Sequence, residues 1–237
     1  MSISKTRTSL FIQYAAAVEF LAAVNFALFL GRPFTTWVTV DFERAGAGEH
    51  CTAFVTAFWK HLRDWLAIYG VPAVYVWVLE GADGEVHMHA LLHIPPRLAL
   101  ELHKMLPDWM RAIGLAYYEG ITDIDCIGVF WGSDRRTSKT GRSRLCLTPY
   151  FFSLRHVVSY SLKGAVPEFC AEWGIQHKPQ GKIIGKRTGT SESLGPRARR
   201  LVLDPPLQDP ARPLDVYGYG PGIGVRTDLL APAIEDD

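Results

Sequence analysis

The amino-acid sequence predicts an α+β fold, a central antiparallel sheet with helices on one face. Three observations carry this expectation. Apolar patterns of strand and helix type follow one another in the order strand, helix, strand, strand, helix, strand. A turn-rich Gly81-Ala82-Asp83-Gly84 joins the second and third strands into a hairpin. The chain has 237 residues, 48% of them apolar and 12% aromatic, ample for the core of one domain.

Each element has its own signal. Ser9 to Leu30 is apolar and long enough for a helix, but Gln13, Glu19 and Asn25 interrupt it. A mid-span glutamate is costly in lipid, so a helix packed on the domain is expected rather than a membrane anchor. Phe34 to Phe42 is β-branched and aromatic and reads as a strand. Phe54, Phe58, Leu62, Trp65 and Leu66 recur at helical spacing within Cys51–Tyr69, and Gly70-Val71-Pro72 ends that helix. Ala73–Leu79 and Val86–Ile94 are the two hairpin strands, and Arg97–Ile113 is a second helix. A strand is expected within Thr122–Trp131, a final one at Leu145–Phe152, and a third helix at Leu154–Ala165. After about Pro179 the chain turns Gly- and Pro-rich, which reads as an ordered loop and then a tail. The βαββαβ order favours the ferredoxin-like arrangement. The domains expected are 1–32, an N-terminal apolar helix; 33–178, the folded core; and 179–237, a basic extension and tail.

Composition excludes several classes. A formal net charge of +1 gives no global signature of a nucleic-acid binder, so local charge matters more. Cys51, Cys126, Cys146 and Cys170 have no Cys-x-x-Cys spacing, which argues against structural zinc and a disulfide scaffold and for a reducing, cytoplasmic setting. No Gly-x-x-x-x-Gly-Lys-Ser/Thr segment is present, so no helicase motor is encoded.

The most informative stretch runs from Glu80 to His93. Alternate strand residues share a face, so His87 and His89 project side by side, about 7 Å apart at Cα. A hairpin can return the Glu80 carboxylate to the same place. Two imidazoles and a carboxylate suit a catalytic divalent ion; the set favours manganese, zinc or nickel over magnesium in affinity, so the working metal, manganese or magnesium, is expected to follow availability. Two histidines that simply share a sheet surface are the plain alternative. His93 has the same parity but lies four residues along.

Leu154–Ala165 carries the second constellation. At 100° per residue, His156, Tyr160 and Lys163 fall within about 60° of one another, opposite the apolar face. A tyrosine hydroxyl is a poor nucleophile at neutral pH. A cation on the scissile phosphate and a nearby ammonium would make its attack practicable. A solvated helix face is the alternative. Two basic stretches flank this helix: Gly132–Arg144, with Arg135 and Arg136, and Lys178–Arg200, with Lys182, Lys186 and Arg187. Cations spaced among glycines fit a nucleic-acid backbone, or a solvated loop.

Taken in order, these segments resemble the HUH endonuclease superfamily, and within it the single-tyrosine initiators of rolling-circle replication in plasmids and single-stranded DNA phages. Trp37-Val-Thr-Val-Asp-Phe42 matches its hydrophobic, threonine-containing strand. His87-Met88-His89 matches its histidine motif, with Glu80 upstream. Tyr160-Ser-Leu-Lys163 matches its tyrosine-x-x-lysine helix. The resemblance spans roughly residues 34–165. It implies an HUH nuclease fold over 33–178 with the metal on the sheet's open face, His87, His89 and Glu80 as ligands, Tyr160 as nucleophile and Lys163 assisting at the phosphate. It also implies site-specific nicking and rejoining of single-stranded DNA through a 5′-phosphotyrosine. The implied partners are single-stranded or hairpin DNA and a helicase and polymerase from host or element, with no membrane. A transposase of the same chemistry and a non-catalytic DNA-binding regulator of the same fold are the alternatives.

Overall fold

The structure, a computed structural model, describes residues 8–48, 51–81, 85–127 and 147–203. Its elements in chain order are β1 (Thr8–Ser9), α1 (Tyr14–Phe29), β2 (Thr36–Asp41), α2 (Cys51–Ile68), β3 (Tyr75–Glu80), β4 (His87–Leu92), α3 (Ala99–Ala112), β5 (Thr122–Cys126), α4 (Leu147–Leu162), α5 (Pro167–Glu172), β6 (Ile183–Ile184), β7 (Thr188–Thr190) and α6 (Pro196–Leu203).

The sheet has five strands in the order β5-β2-β4-β3-β7, every pairing antiparallel. β4 lies between β2 and β3, and β2 lies between β4 and β5. Each helical crossover, through α2 or α3, therefore skips one strand and returns in the same direction. The antiparallel sheet expected from the sequence is present, with β7 added at one edge.

The expectation of helices on one face needs correction. Helices cover both. On one face Val38, Val40, Tyr75, Trp77, Leu79, Met88, Ala90 and Leu92 pack under α2 and α3. On the other, Val76, Val78 and Leu91 pack with α1, α4 and α5. The reason is visible in β3: all six of its residues are buried, so neither face can be left to water. Helix α1, buried at Ala17, Phe20, Leu21, Ala23, Val24, Phe26 and Ala27, supplies part of the second cover. Glu19, the residue that argues against a membrane span, is held by Arg199, whose Nη2 donates to both carboxylate oxygens at 2.6 Å. No described helix is long and apolar enough to cross a membrane.

Two other expectations change. The final strand expected at Leu145–Phe152 is replaced from Leu147 onward by helix α4, and Leu145 and Cys146 lie outside the described residues. The aromatic run resembles a strand, but Pro149 falls in the first helical turn, where a missing N–H costs nothing. The segment after residue 178 is more than a loop: Thr188–Thr190 pairs with β3, and Ile183–Ile184 pairs with β1. Gly189 permits that edge, since a Cβ there would lie 2.6 Å from the Trp77 indole.

Candidate metal and tyrosine site

The second face of the sheet carries the candidate chemistry. Register places Asp41, His87 and Glu80 in one row across β2, β4 and β3, and Thr39, His89 and Val78 in the next. Alternation turns all of these toward α4 rather than toward the α2–α3 core.

His89 and Glu80 come together as expected. His89 Nε2 lies 3.4 Å from Glu80 Oε2. Its other ring nitrogen, Nδ1, is 3.0 Å from the Thr39 hydroxyl, which fixes the ring. Lys163 Nζ lies 2.9 Å from the same Glu80 oxygen. All three side chains are buried, at 6% exposure for Glu80, 7% for His89 and 8% for Lys163. Burial pushes the Glu80 carboxyl up, but His89 and Lys163 outweigh it and hold the group below its ordinary value. Glu80 Oε1 is buried and has no hydrogen-bond partner among the described residues.

Tyr160 stands over this pair. Its ring is perpendicular to His89, at 5.3 Å between centroids, and also contacts Trp37 at 5.3 Å. Lys163 Nζ sits 3.1 Å from the Tyr160 ring centroid. The end of α4 explains that closeness: Lys163 N–H donates to the Tyr160 carbonyl, a tightened last turn that folds the lysine back over the ring. Tyr160 is 38% exposed, so this is the member of the group that a ligand can reach. The site is thus a buried ionic floor beneath an accessible phenol. It is not an open sheet face, because α4 covers it.

His87 goes elsewhere. Its Nε2 lies 3.4 Å from Glu85 and its Nδ1 lies 3.7 Å from Asp41. Ligand atoms of Asp41, Glu85 and His87 all lie within 4.8 Å of one another, and this group could hold a metal ion. Asp41 is buried there, His87 half-buried and Glu85 exposed. Among the described residues, the expected set of His87, His89 and Glu80 is therefore divided: two members meet under Tyr160, while the third faces a neighbouring acidic pair.

The basic residues divide as well. Arg135 and Arg136 lie outside the described residues. Lys182 and Lys186 are exposed. Lys186 Nζ is 5.9 Å from the ring of Trp77, which belongs to the opposite sheet face from His89. Arg187 is buried and donates to the carbonyls of Leu79, Gln180, Gly181 and Ser9, so its expected role in DNA binding is corrected to a structural one. Burial pulls its pKa down to about 10, against a smaller opposing pull from Glu80, which leaves it charged at neutral pH. His93 is also structural, with Nδ1 2.7 Å from the Pro33 carbonyl.

Sequence reasoning missed Trp37, Thr39, Asp41 and Glu85 as site neighbours. Strand parity within the Trp37–Phe42 segment could have found the first three. It also missed two glycines that let the 178–182 segment close over the site. A Cβ on Gly81, next to Glu80, would lie 2.7 Å from the Lys182 carbonyl oxygen, and one on Gly164, next to Lys163, would lie 2.5 Å from Gln180 Cγ. Among the described residues Cys51, Cys126 and Cys170 are free, and Cys146 lies outside them.

Comparison with known proteins gives no match, whether to a family model, a curated protein or a solved structure.

Proposed function

We propose that this chain nicks and rejoins single-stranded DNA through Tyr160, in the manner of an HUH rolling-circle initiator. The carrying observation is that three segments far apart in sequence supply one group: Thr39 from β2, Glu80 and His89 from the hairpin, and Tyr160 from α4 with Lys163 from the turn that ends it. The antiparallel order β5-β2-β4-β3, with α2 and α3 as its crossovers, is compatible with a ferredoxin-like arrangement and supports the same reading.

In the reaction, Tyr160 Oη attacks the scissile phosphorus. The phenolic proton passes to water, an O–P bond forms, the P–O3′ bond breaks, and the departing 3′ oxygen takes a proton back from water. The 5′ phosphate stays on the tyrosine, and attack by a 3′ hydroxyl reverses the step. Lys163, 2.9 Å from Glu80 and against the Tyr160 ring, would shift its charge from the carboxylate to a phosphate. Thr39 holds the His89 ring. His89 Nε2 and Glu80, whose Oε1 has no hydrogen-bond partner among the described residues, are chemically suited to hold a divalent ion, and the neighbouring Asp41, Glu85 and His87 are a second group that could hold one. Such an ion supplies charge neutralisation and polarisation at phosphorus.

One observation favours the non-catalytic alternative. Lys163 already neutralises Glu80, and His87 faces Asp41 and Glu85, so the ligand set is not closed. Labelled single-stranded and hairpin oligonucleotides incubated with the protein and manganese distinguish the two. A protein–DNA adduct mapped to Tyr160, lost with chelator, is expected. DNA binding without any adduct would establish the regulator instead.

A further inference from the structure

Beside Tyr160 lies a cleft of about 360 Å³ whose walls include Trp37, Asp125, Cys126, Phe152 and His156. Its size is that of a small-molecule site. It is continuous with the proposed reaction site in two ways. Trp37 both walls the cleft and packs on Tyr160. Phe152, His156 and Tyr160 follow one another at four-residue spacing along α4, one stripe that descends about 6 Å per step. Phe152 is 78% exposed, an aromatic ring with most of its surface free.

Three flat side chains around one cleft form a stacking surface for a planar heterocycle. One carboxylate stands among them. Asp125 pairs with Trp37 in the β2–β5 register, so alternation puts its side chain on the same face as the indole. A carboxylate only accepts hydrogen bonds. Of the DNA bases, guanine alone presents two adjacent donors on its Watson–Crick edge, N1–H and the N2 amino group, which match the two carboxylate oxygens. Cytosine and adenine set a ring acceptor beside their single amino group, and thymine flanks one N–H with carbonyls.

We propose that this cleft receives the base of a nucleotide flanking the scissile bond, and that Asp125 makes it selective for guanine. The proposal rests on the single-stranded DNA reading of the Tyr160 site and adds the base specificity of that site.

The test is equilibrium binding of the full chain to a twelve-nucleotide oligothymidine and to the same oligomer with one central guanine, adenine or cytosine. The guanine oligomer is expected to bind about ten-fold tighter than the other three. Asp125→Asn, an isosteric change at an exposed position, is expected to bring the four within about three-fold. Phe152→Ala is expected to weaken all four, by loss of stacking. If the oligomers bind with no guanine preference, or if Asp125→Asn keeps that preference, the base assignment is overturned and the Tyr160 reading stands. If no oligomer binds at all, both readings fall together.

Discussion

The two faces of the sheet follow the same alternation and are finished in opposite ways. Under α2 and α3 the strands present Val38, Val40, Tyr75, Trp77, Leu79, Met88, Ala90 and Leu92, an apolar layer closed by Phe58, Trp59 and Trp109. Under α4 the same strands present Val76, Val78 and Leu91, then give way within one or two residues to Thr39, Asp41, Glu80, His87 and His89. The first face stabilises the protein by area removed from water. The second contains buried charges, which are tolerable only while paired. The difference teaches where to look for function: charges brought under a helix cost stability, and here they gather beneath one exposed tyrosine.

Substitutions that separate the faces test this contrast. The largest effect is expected at Tyr160. Tyr160→Phe should lower cleavage by at least about 10³-fold and abolish the covalent adduct, with the melting temperature unchanged, since the phenol is the exposed member of its group. Adduct formation on denaturing gels checks the first part and thermal unfolding the second.

On the apolar face, Leu79→Ala, one residue from Glu80, should cost about 3 kcal/mol by denaturant unfolding, because a fully packed side chain leaves a cavity. It should leave DNA affinity alone.

Glu80→Gln should cost about 2 kcal/mol, since it leaves the Lys163 ammonium buried without its counter-charge. Its pH dependence identifies the cause. The folded carboxyl sits below its ordinary value of 4.5, so the folded state binds fewer protons than the unfolded chain. The stability Glu80 confers is therefore full above pH 4.5 and is lost as pH falls through the depressed folded value. Wild type and Glu80→Gln should converge in that acid range. A gap that persists there would show that shape, not charge, is at stake.

Gly189→Ala should cost about 1–3 kcal/mol, because the added methyl meets the rigid Trp77 ring at the sheet edge. The smallest effect is expected at Lys186. Its ammonium lies toward the other sheet face, so Lys186→Glu should change single-stranded DNA affinity by less than about two-fold at moderate salt. A large, salt-dependent loss would place the DNA path across both faces.

Much of this protein is determined by its sequence alone. The β2 alternation, the α2 periodicity and the hairpin from Tyr75 to Leu92 are local patterns, and local patterns survive translation into elements with shifts of only a residue or two at their ends. That the hairpin sets Glu80 beside the histidine strand is equally local, but its register puts Glu80 opposite His87, and the turn of the carboxylate to His89 is a matter of side-chain packing. Tertiary structure decided the rest. That Lys163 reaches Glu80, that Arg187 is buried rather than offered to a ligand, and that His87 turns to Asp41 and Glu85 all depend on segments that meet only in the fold. The physical reason is one of range. Periodicity states which face a residue occupies, but not what will be packed against that face. A charge chooses its partner by the burial and counter-charge it meets there, and neither is written in its neighbours along the chain.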